Sequence, residues 1–95
     1  MTRQPEDLKT LVVCNRHSGR FDEDAEYWDT FRKSGARIVE FDRETILIDV
    51  IEEALQSGLN TVVAAGGDGT VNAVVNALMS IELGRRPRMA ILPLG

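Results

Sequence analysis

The chain reads as an α/β protein, a three-layer α/β/α arrangement around a parallel sheet of about four strands in the probable order 2-1-3-4. Three observations predict it. Short apolar runs rich in β-branched or small residues recur at Leu11–Cys14, Ile38-Val39, Thr61–Ala65 and Met89–Leu92. Between them lie stretches whose apolar residues follow helical spacing, so strands and helices alternate. The runs are nearly continuous in apolarity, as expected of strands buried on both faces, and such alternation implies right-handed crossovers with helices on both sides of the sheet.

The elements follow in order. Leu11-Val12-Val13-Cys14 is the first strand and stops at polar Asn15. Ser18-Gly19 supplies a turn. Phe21, Ala25, Trp28 and Phe31 then mark one face of a helix, with Asp22, Glu23 and Asp24 in its first turn, where acids suit the positive pole. Trp28 and Phe31 are expected in the core, and Ser34-Gly35 ends the helix. Arg37 to Phe41 is the second strand. Leu47, Val50, Ile51, Ala54 and Leu55 define the second helix, which Gly58 closes; its start, Thr45-Ile46-Leu47-Ile48, also fits a strand. The third strand, Thr61–Ala65, runs straight into Gly66-Gly67-Asp68-Gly69-Thr70. Val71, Val74, Val75, Leu78 and Met79 follow as a core-facing helical stripe, with Gly84 as its expected C-cap. Met89–Leu92 is the fourth strand, broken by Pro93.

Length and charge bound the function. At 95 residues the chain makes one small domain and buries about 60–65% of its unfolded surface. Eleven basic against fifteen acidic residues give a net charge of −4, which argues against nucleic acid as a partner despite the cluster Arg85, Arg86 and Arg88. A single cysteine, Cys14, lies in an apolar run; it reads as a buried strand residue in a reducing compartment. No apolar stretch approaches the ~20 residues that span a bilayer, and the polar start lacks a signal-peptide core. A cytoplasmic protein with at most peripheral membrane contact is expected.

The stretch that carries chemistry is Gly66-Gly67-Asp68-Gly69-Thr70, between a buried strand and a helix. Ligands of open parallel sheets bind beyond the carboxyl ends of the strands. Glycines let the backbone turn sharply and approach a ligand, and the helix start offers N–H groups with partial positive charge, a cradle for phosphate. Thr70 is expected to cap that helix or to hydrogen-bond a phosphate oxygen. Asp68 would repel phosphates unless a cation such as Mg²⁺ sits between them or unless it acts on a proton; a plain Asp-Gly turn is the alternative, and the strand before, the amphipathic helix after and Thr70 favour the functional reading. The segment has no Walker-A lysine and no Gly-x-Gly-x-x-Gly, so it is neither a P-loop nor a dinucleotide fingerprint. No Cys/His cluster suggests zinc, and His17 reads as a surface residue. Asn15-Arg16-His17-Ser18-Gly19 lies at the same sheet end, where Asn15 and Ser18 can reach a nucleotide. Leu92-Pro93-Leu94-Gly95 forms a third loop at that end.

Together these segments resemble the diacylglycerol kinase catalytic family, which includes sphingosine, ceramide and bacterial lipid kinases. Gly66-Gly67-Asp68-Gly69-Thr70-Val71-Asn72-Ala73-Val74-Val75-Asn76 resembles the family's glycine-rich motif, Asn15-Arg16-His17-Ser18-Gly19 its Asn-Pro-x-Ser-Gly, and Leu92-Pro93-Leu94-Gly95 its Leu-Pro-x-Gly. The resemblance covers the chain from Leu11 onward. Arg16 stands where the family usually has Pro, and Ala73 replaces a frequent Glu. Nothing around Asp42 to Asp49 matches the family's Thr and Gly-Asp-Ala.

The resemblance implies ATP- and Mg²⁺-dependent phosphorylation of a lipid hydroxyl, such as that of diacylglycerol. Carried over by position, Gly66, Gly67, Gly69 and Thr70 would hold ATP phosphates, Asn15 and Ser18 would line the nucleotide pocket, Asp68 would join the Mg²⁺–phosphate network, and Gly95 would open the loop on the far side. The family also has a second, β-rich domain with the lipid site and the general base, which this chain lacks. The expectation is therefore a truncated nucleotide-binding domain, inactive alone and open to self-association. An NAD kinase or phosphofructokinase-like enzyme, or a non-catalytic nucleotide-binding module, are the alternatives.

Overall fold

A computed structural model describes residues 9–15, 26–42 and 46–93. Four strands, β1 (Thr10–Cys14), β2 (Arg37–Glu40), β3 (Thr61–Gly66) and β4 (Arg88–Pro93), alternate with three helices, α1 (Glu26–Lys33), α2 (Leu47–Gln56) and α3 (Asp68–Met79). The sheet is wholly parallel and its order is β2-β1-β3-β4, as the alternating pattern predicts. Residues of the first helical stretch before Glu26, the turn at Ser18-Gly19 and Thr45 lie outside the described residues.

The two central strands are where the core sits. Leu11, Val12, Val13 and Cys14 are all fully buried, because β1 has a strand on each side and helices above and below. Alternate residues serve opposite faces. Leu11, Val13, Val62 and Ala64 point to one side, against Ile51 of α2 and Val74 of α3. Val12, Cys14, Val63 and Ala65 point to the other, against Trp28 of α1. Each fully buried Leu, Ile or Val contributes about 1.5–3 kcal/mol, so the α2/α3 face, which holds most of them, carries most of the hydrophobic stabilisation.

The helix ends follow from glycine. After α1, Gly35 adopts φ +83° and Ala36 N–H returns to Phe31 O at 3.1 Å. After α2, Gly58 adopts φ +92° and Leu59 N–H returns to Ala54 O at 2.9 Å. Both are Schellman closures, in which a left-handed residue lets the chain satisfy the last carbonyls. Helix α2 starts at Leu47, so Leu47 and Ile48 of the segment that also fitted a strand are helical, and Ile46 is the extended N-cap.

Three expectations need correction. Gly84 does not cap α3; the helix ends at Met79 with Ser80 as C-cap, and Gly84 lies in a 3₁₀ turn, Leu83–Arg85. The last carbonyls of α3 are met instead by Ser80 N–H to Ala77 O at 3.1 Å, Ile81 N–H to Leu78 O at 3.0 Å and Arg86 Nη2 to Met79 O at 3.3 Å, while Arg86 Nε donates to Ile81 O, just past the helix, at 2.9 Å. Met79, expected in the core stripe, is 67% exposed, because Ile81, just beyond the turn, fills the core position there. Pro93 does not break the fourth strand but ends it, paired with Gly66. An edge strand tolerates proline because one side of it has no ladder bond to lose.

Candidate functional site

Strand register brings the predicted loops to one end. Cys14 lies beside Ala65, so Asn15 and Gly66, the next residues, leave adjacent strands together. Gly66 in turn lies beside Pro93. Neighbouring strands are about 4.8 Å apart, so Asn15, Gly66 and Pro93 share a rim roughly 10 Å wide. Ser18 and Gly95, together with Arg16, His17 and Leu94, lie outside the described residues.

Helix α3 begins inside the glycine-rich segment. Its N-cap is Gly67, in extended backbone at φ −91° and ψ −164°, and Asp68 is already helical. Sequence periodicity starts only at Val71, three residues later. The first amide to bond back is Val71 N–H, to Gly67 O at 3.1 Å. The N–H groups of Asp68, Gly69 and Thr70 precede it and have no carbonyl within the helix to bond. They stand at the pole that carries about half a positive elementary charge. Asp68, exposed in that first turn, is an acid where the helix favours one.

The glycines serve differently from what a sharp turn would require. Among the described residues only Gly35 and Gly58 have positive φ, so Gly66, Gly67 and Gly69 are not there for a left-handed backbone. Gly66 is needed for space: a Cβ on it would lie 2.8 Å from Thr70 Cβ and 3.2 Å from Thr70 Cγ2. Gly69 is exposed, and a Cβ on it would meet nothing within 4 Å. The fold has no use for glycine at position 69, where it costs helix stability.

Thr70 is not the cap. It sits in the third helical position, no side chain caps α3, and the residue is 3% exposed, packed against Gly66. It is the one buried polar side chain among the described residues. Reading along the sequence misses this contact, although the i, i+4 spacing of Gly66 and Thr70 is its signal. Asn15, half-buried, stands at the rim as expected. Cys14 is buried beneath it, with Sγ 3.6 Å from Val39 O, and serves packing.

Among the described residues no group of three or more His, Cys, Asp or Glu side chains could hold a metal. A Mg²⁺ ion here would be held in the way that suits it, by one carboxylate, Asp68, and by substrate phosphates. No helix among them is long and apolar enough to cross a membrane.

Comparison with known proteins agrees with this fold. The family model of the diacylglycerol kinase catalytic domain matches residues 9–95, and the chain belongs to that family. A probable lipid kinase YegS-like of Enterobacter sp. (strain 638) is 56% identical over 45 residues, which is 47% of this chain and 15% of that protein. The corresponding protein of Yersinia pestis (strain Pestoides F) is 53% identical over a stretch of the same length. A putative diacylglycerol kinase from Bacillus anthracis str. Sterne superposes with a TM-score of 0.64 at 26% identity, over 92% of this chain and 30% of that one. A second diacylglycerol kinase structure from the same organism gives 0.63 at 25% identity, over 92% of this chain and 33% of that one. The chain thus spans about a third of the solved kinases that it resembles, and its match to the curated relatives covers a smaller share still.

Proposed function

We propose that this chain is the nucleotide-binding part of a lipid kinase that transfers the γ-phosphate of ATP to a lipid hydroxyl such as that of diacylglycerol. One observation carries the reading. The N–H groups of Asp68, Gly69 and Thr70 open a helix at the carboxyl end of a central strand, and the backbone at Gly69 is kept bare at a cost to the helix. A bare, exposed main chain at a positive pole is what a polyphosphate needs to approach closely.

The chain's own residues would act by positioning. The amides of the first turn hold phosphate oxygens, each charge-assisted bond contributing about 1.5–3 kcal/mol. By the family resemblance, Asn15 and Ser18 would line the nucleotide pocket, and Gly95 would open the loop on its far side. Asp68 would help to hold a Mg²⁺ ion that arrives with the nucleotide, and such an ion would supply neutralisation of the charge on the phosphates. Gly66 and Thr70 belong to the same cradle from below. Phosphoryl transfer asks for alignment and charge neutralisation more than covalent chemistry, and this rim supplies both. The general base and the lipid site fall to a second, β-rich domain; the matched solved kinases extend to about three times this chain's share, which leaves room for one. Family membership favours a lipid acceptor over the soluble nucleotide or sugar phosphate of the related kinases.

The test is transfer of radiolabel from [γ-³²P]ATP to diacylglycerol in mixed micelles by the full-length protein with Mg²⁺. Labelled phosphatidic acid that disappears on omission of Mg²⁺ is expected. Absence of labelled lipid across diacylglycerol, sphingosine and ceramide, with ATP still bound, would replace the kinase with a nucleotide-binding module.

A further inference from the structure

We infer that Gly66 and Thr70 form a matched pair that sets the height of the nucleotide cradle, with Thr70 acting as a positioning residue through packing rather than as a phosphate ligand. This rests on the nucleotide reading above and deepens it. The two residues are one helical repeat apart across the β3–α3 junction, and Thr70 is 3% exposed. A Cβ at position 66 would come within 2.8 Å of Thr70 Cβ, and Thr70 Oγ1 is the side-chain atom nearest to it. The bulk of Thr70 therefore occupies the space that any other residue at 66 would need.

Neither side of that contact can yield freely. Gly66 is a strand residue beside Pro93 of β4, at the end of a buried run, so the sheet fixes it. Behind Thr70, Val74 is fully buried and Leu78 nearly so, which fixes the body of α3 against the same sheet. The compliant part is the first turn itself, the turn that holds the amides of Asp68, Gly69 and Thr70. Ordinary contact begins at 3.4 Å, so an added Cβ leaves Thr70 Cβ about 0.6 Å too close. The first turn would have to move by that order, and a displacement near 1 Å at a positioning group costs roughly a hundredfold in rate.

Two features separate this role from ligation. The hydroxyl of Thr70 faces Gly66 and not the solvent side of the rim where Asp68 and Gly69 are exposed. Reciprocity follows as well. If the pair sets the height by volume, bulk added at 66 is offset by bulk removed at 70. If Thr70 binds phosphate, the two losses multiply.

The experiment is a double-mutant cycle in the full-length protein with Gly66→Ala, Thr70→Gly and the double variant, reading the KM for ATP, the KM for lipid and the melting temperature. Gly66→Ala is expected to raise the KM for ATP at least tenfold and to leave the KM for lipid within about twofold. In the Thr70→Gly background the same substitution is expected to raise it less than threefold. Should Gly66→Ala not fold, the double variant is expected to recover a cooperative melt. A double variant as impaired as the product of the two single changes would overturn the pairing, as would a Gly66→Ala enzyme with unchanged KM for ATP. If the unsubstituted protein does not bind ATP at all, the nucleotide reading fails instead, a result visible before any variant is made.

Discussion

Two glycines make opposite demands and so report on different things. Gly58 stands at φ +92°, and a Cβ on it would meet only the end of the Lys9 side chain at 3.8 Å, so its requirement is conformational. Gly69 has ordinary helical backbone and open space around its missing Cβ, so its requirement comes from outside the chain. Gly58→Ala is expected to lower stability by about 1–2 kcal/mol, the cost of a left-handed alanine, and to leave ATP affinity unchanged. Gly69→Ala is expected to raise stability by about 0.5 kcal/mol and to weaken ATP binding by roughly tenfold, the worth of one charge-assisted bond. Thermal melts and calorimetry with Mg²⁺·ATP check both; a Gly69→Ala protein that binds ATP normally would remove the reason for a bare main chain at that place.

At the scale of elements, the two faces of the sheet are unequally supported. On the α1 side the buried set is Val12, Cys14, Trp28, Val63 and Ala65, and Trp28 is the only large member. Its ring lies 6.1 Å from that of Phe31 at 54°, a tilted aromatic pair that seats α1 on the strands. Trp28→Ala is expected to cost about 3–5 kcal/mol by denaturant titration, a large share of the stability of a domain this small. A loss below 1 kcal/mol would mean that α1 is held by something other than this side chain.

Much of this architecture was legible in the residues, for identifiable reasons. Strands with neighbours on both edges must be apolar throughout, which made β1 and β3 plain, and the positive-φ glycines that close α1 and α2 cannot be replaced cheaply, which made those ends plain. The start of α3 was not legible, because Asp68, Gly69 and Thr70 belong to a helix by backbone while their side chains lack its apolar period. Met79 and Gly84 were misread for the converse reason. The helical period and the glycine continue on paper past Met79, where the chain leaves the helix and Ile81, out of that period, takes the core position. The site's location followed from strand order, whereas the Gly66–Thr70 contact depends on distances that spacing alone does not supply.

At the scale of the molecule, the bases among the described residues gather at one end of the strands. The basic residues described all lie toward the end where strands begin: Lys9 before β1, Arg32 and Lys33 at the end of α1, Arg37 opening β2, and Arg85, Arg86 and Arg88 before and at the start of β4. Glu40, Asp42, Asp49 and Asp68 lie toward the opposite end, where the helices begin, while Glu52, Glu53 and Glu82 lie among the bases. Helix dipoles favour this sorting, since all three helices run against the strands and present carbonyl ends to the bases and amide ends to the acids. Some of the bases are spent locally: Arg85 Nη2 meets Glu52 Oε2 at 2.6 Å, an exposed pair of small energetic worth. Among the described residues, the side chains charged at the end where the helices begin are acidic, and the positive groups offered to a polyphosphate there are the main-chain amides of Asp68, Gly69 and Thr70.

The central claim is that the amides of the α3 first turn hold phosphate, and amide hydrogen exchange of the full-length protein with and without Mg²⁺·ATP tests it most directly. Slowed exchange concentrated at Asp68, Gly69 and Thr70, absent when ATP is replaced by adenosine, is the predicted result. Protection elsewhere in the protein with exchange at these three residues unchanged would contradict it.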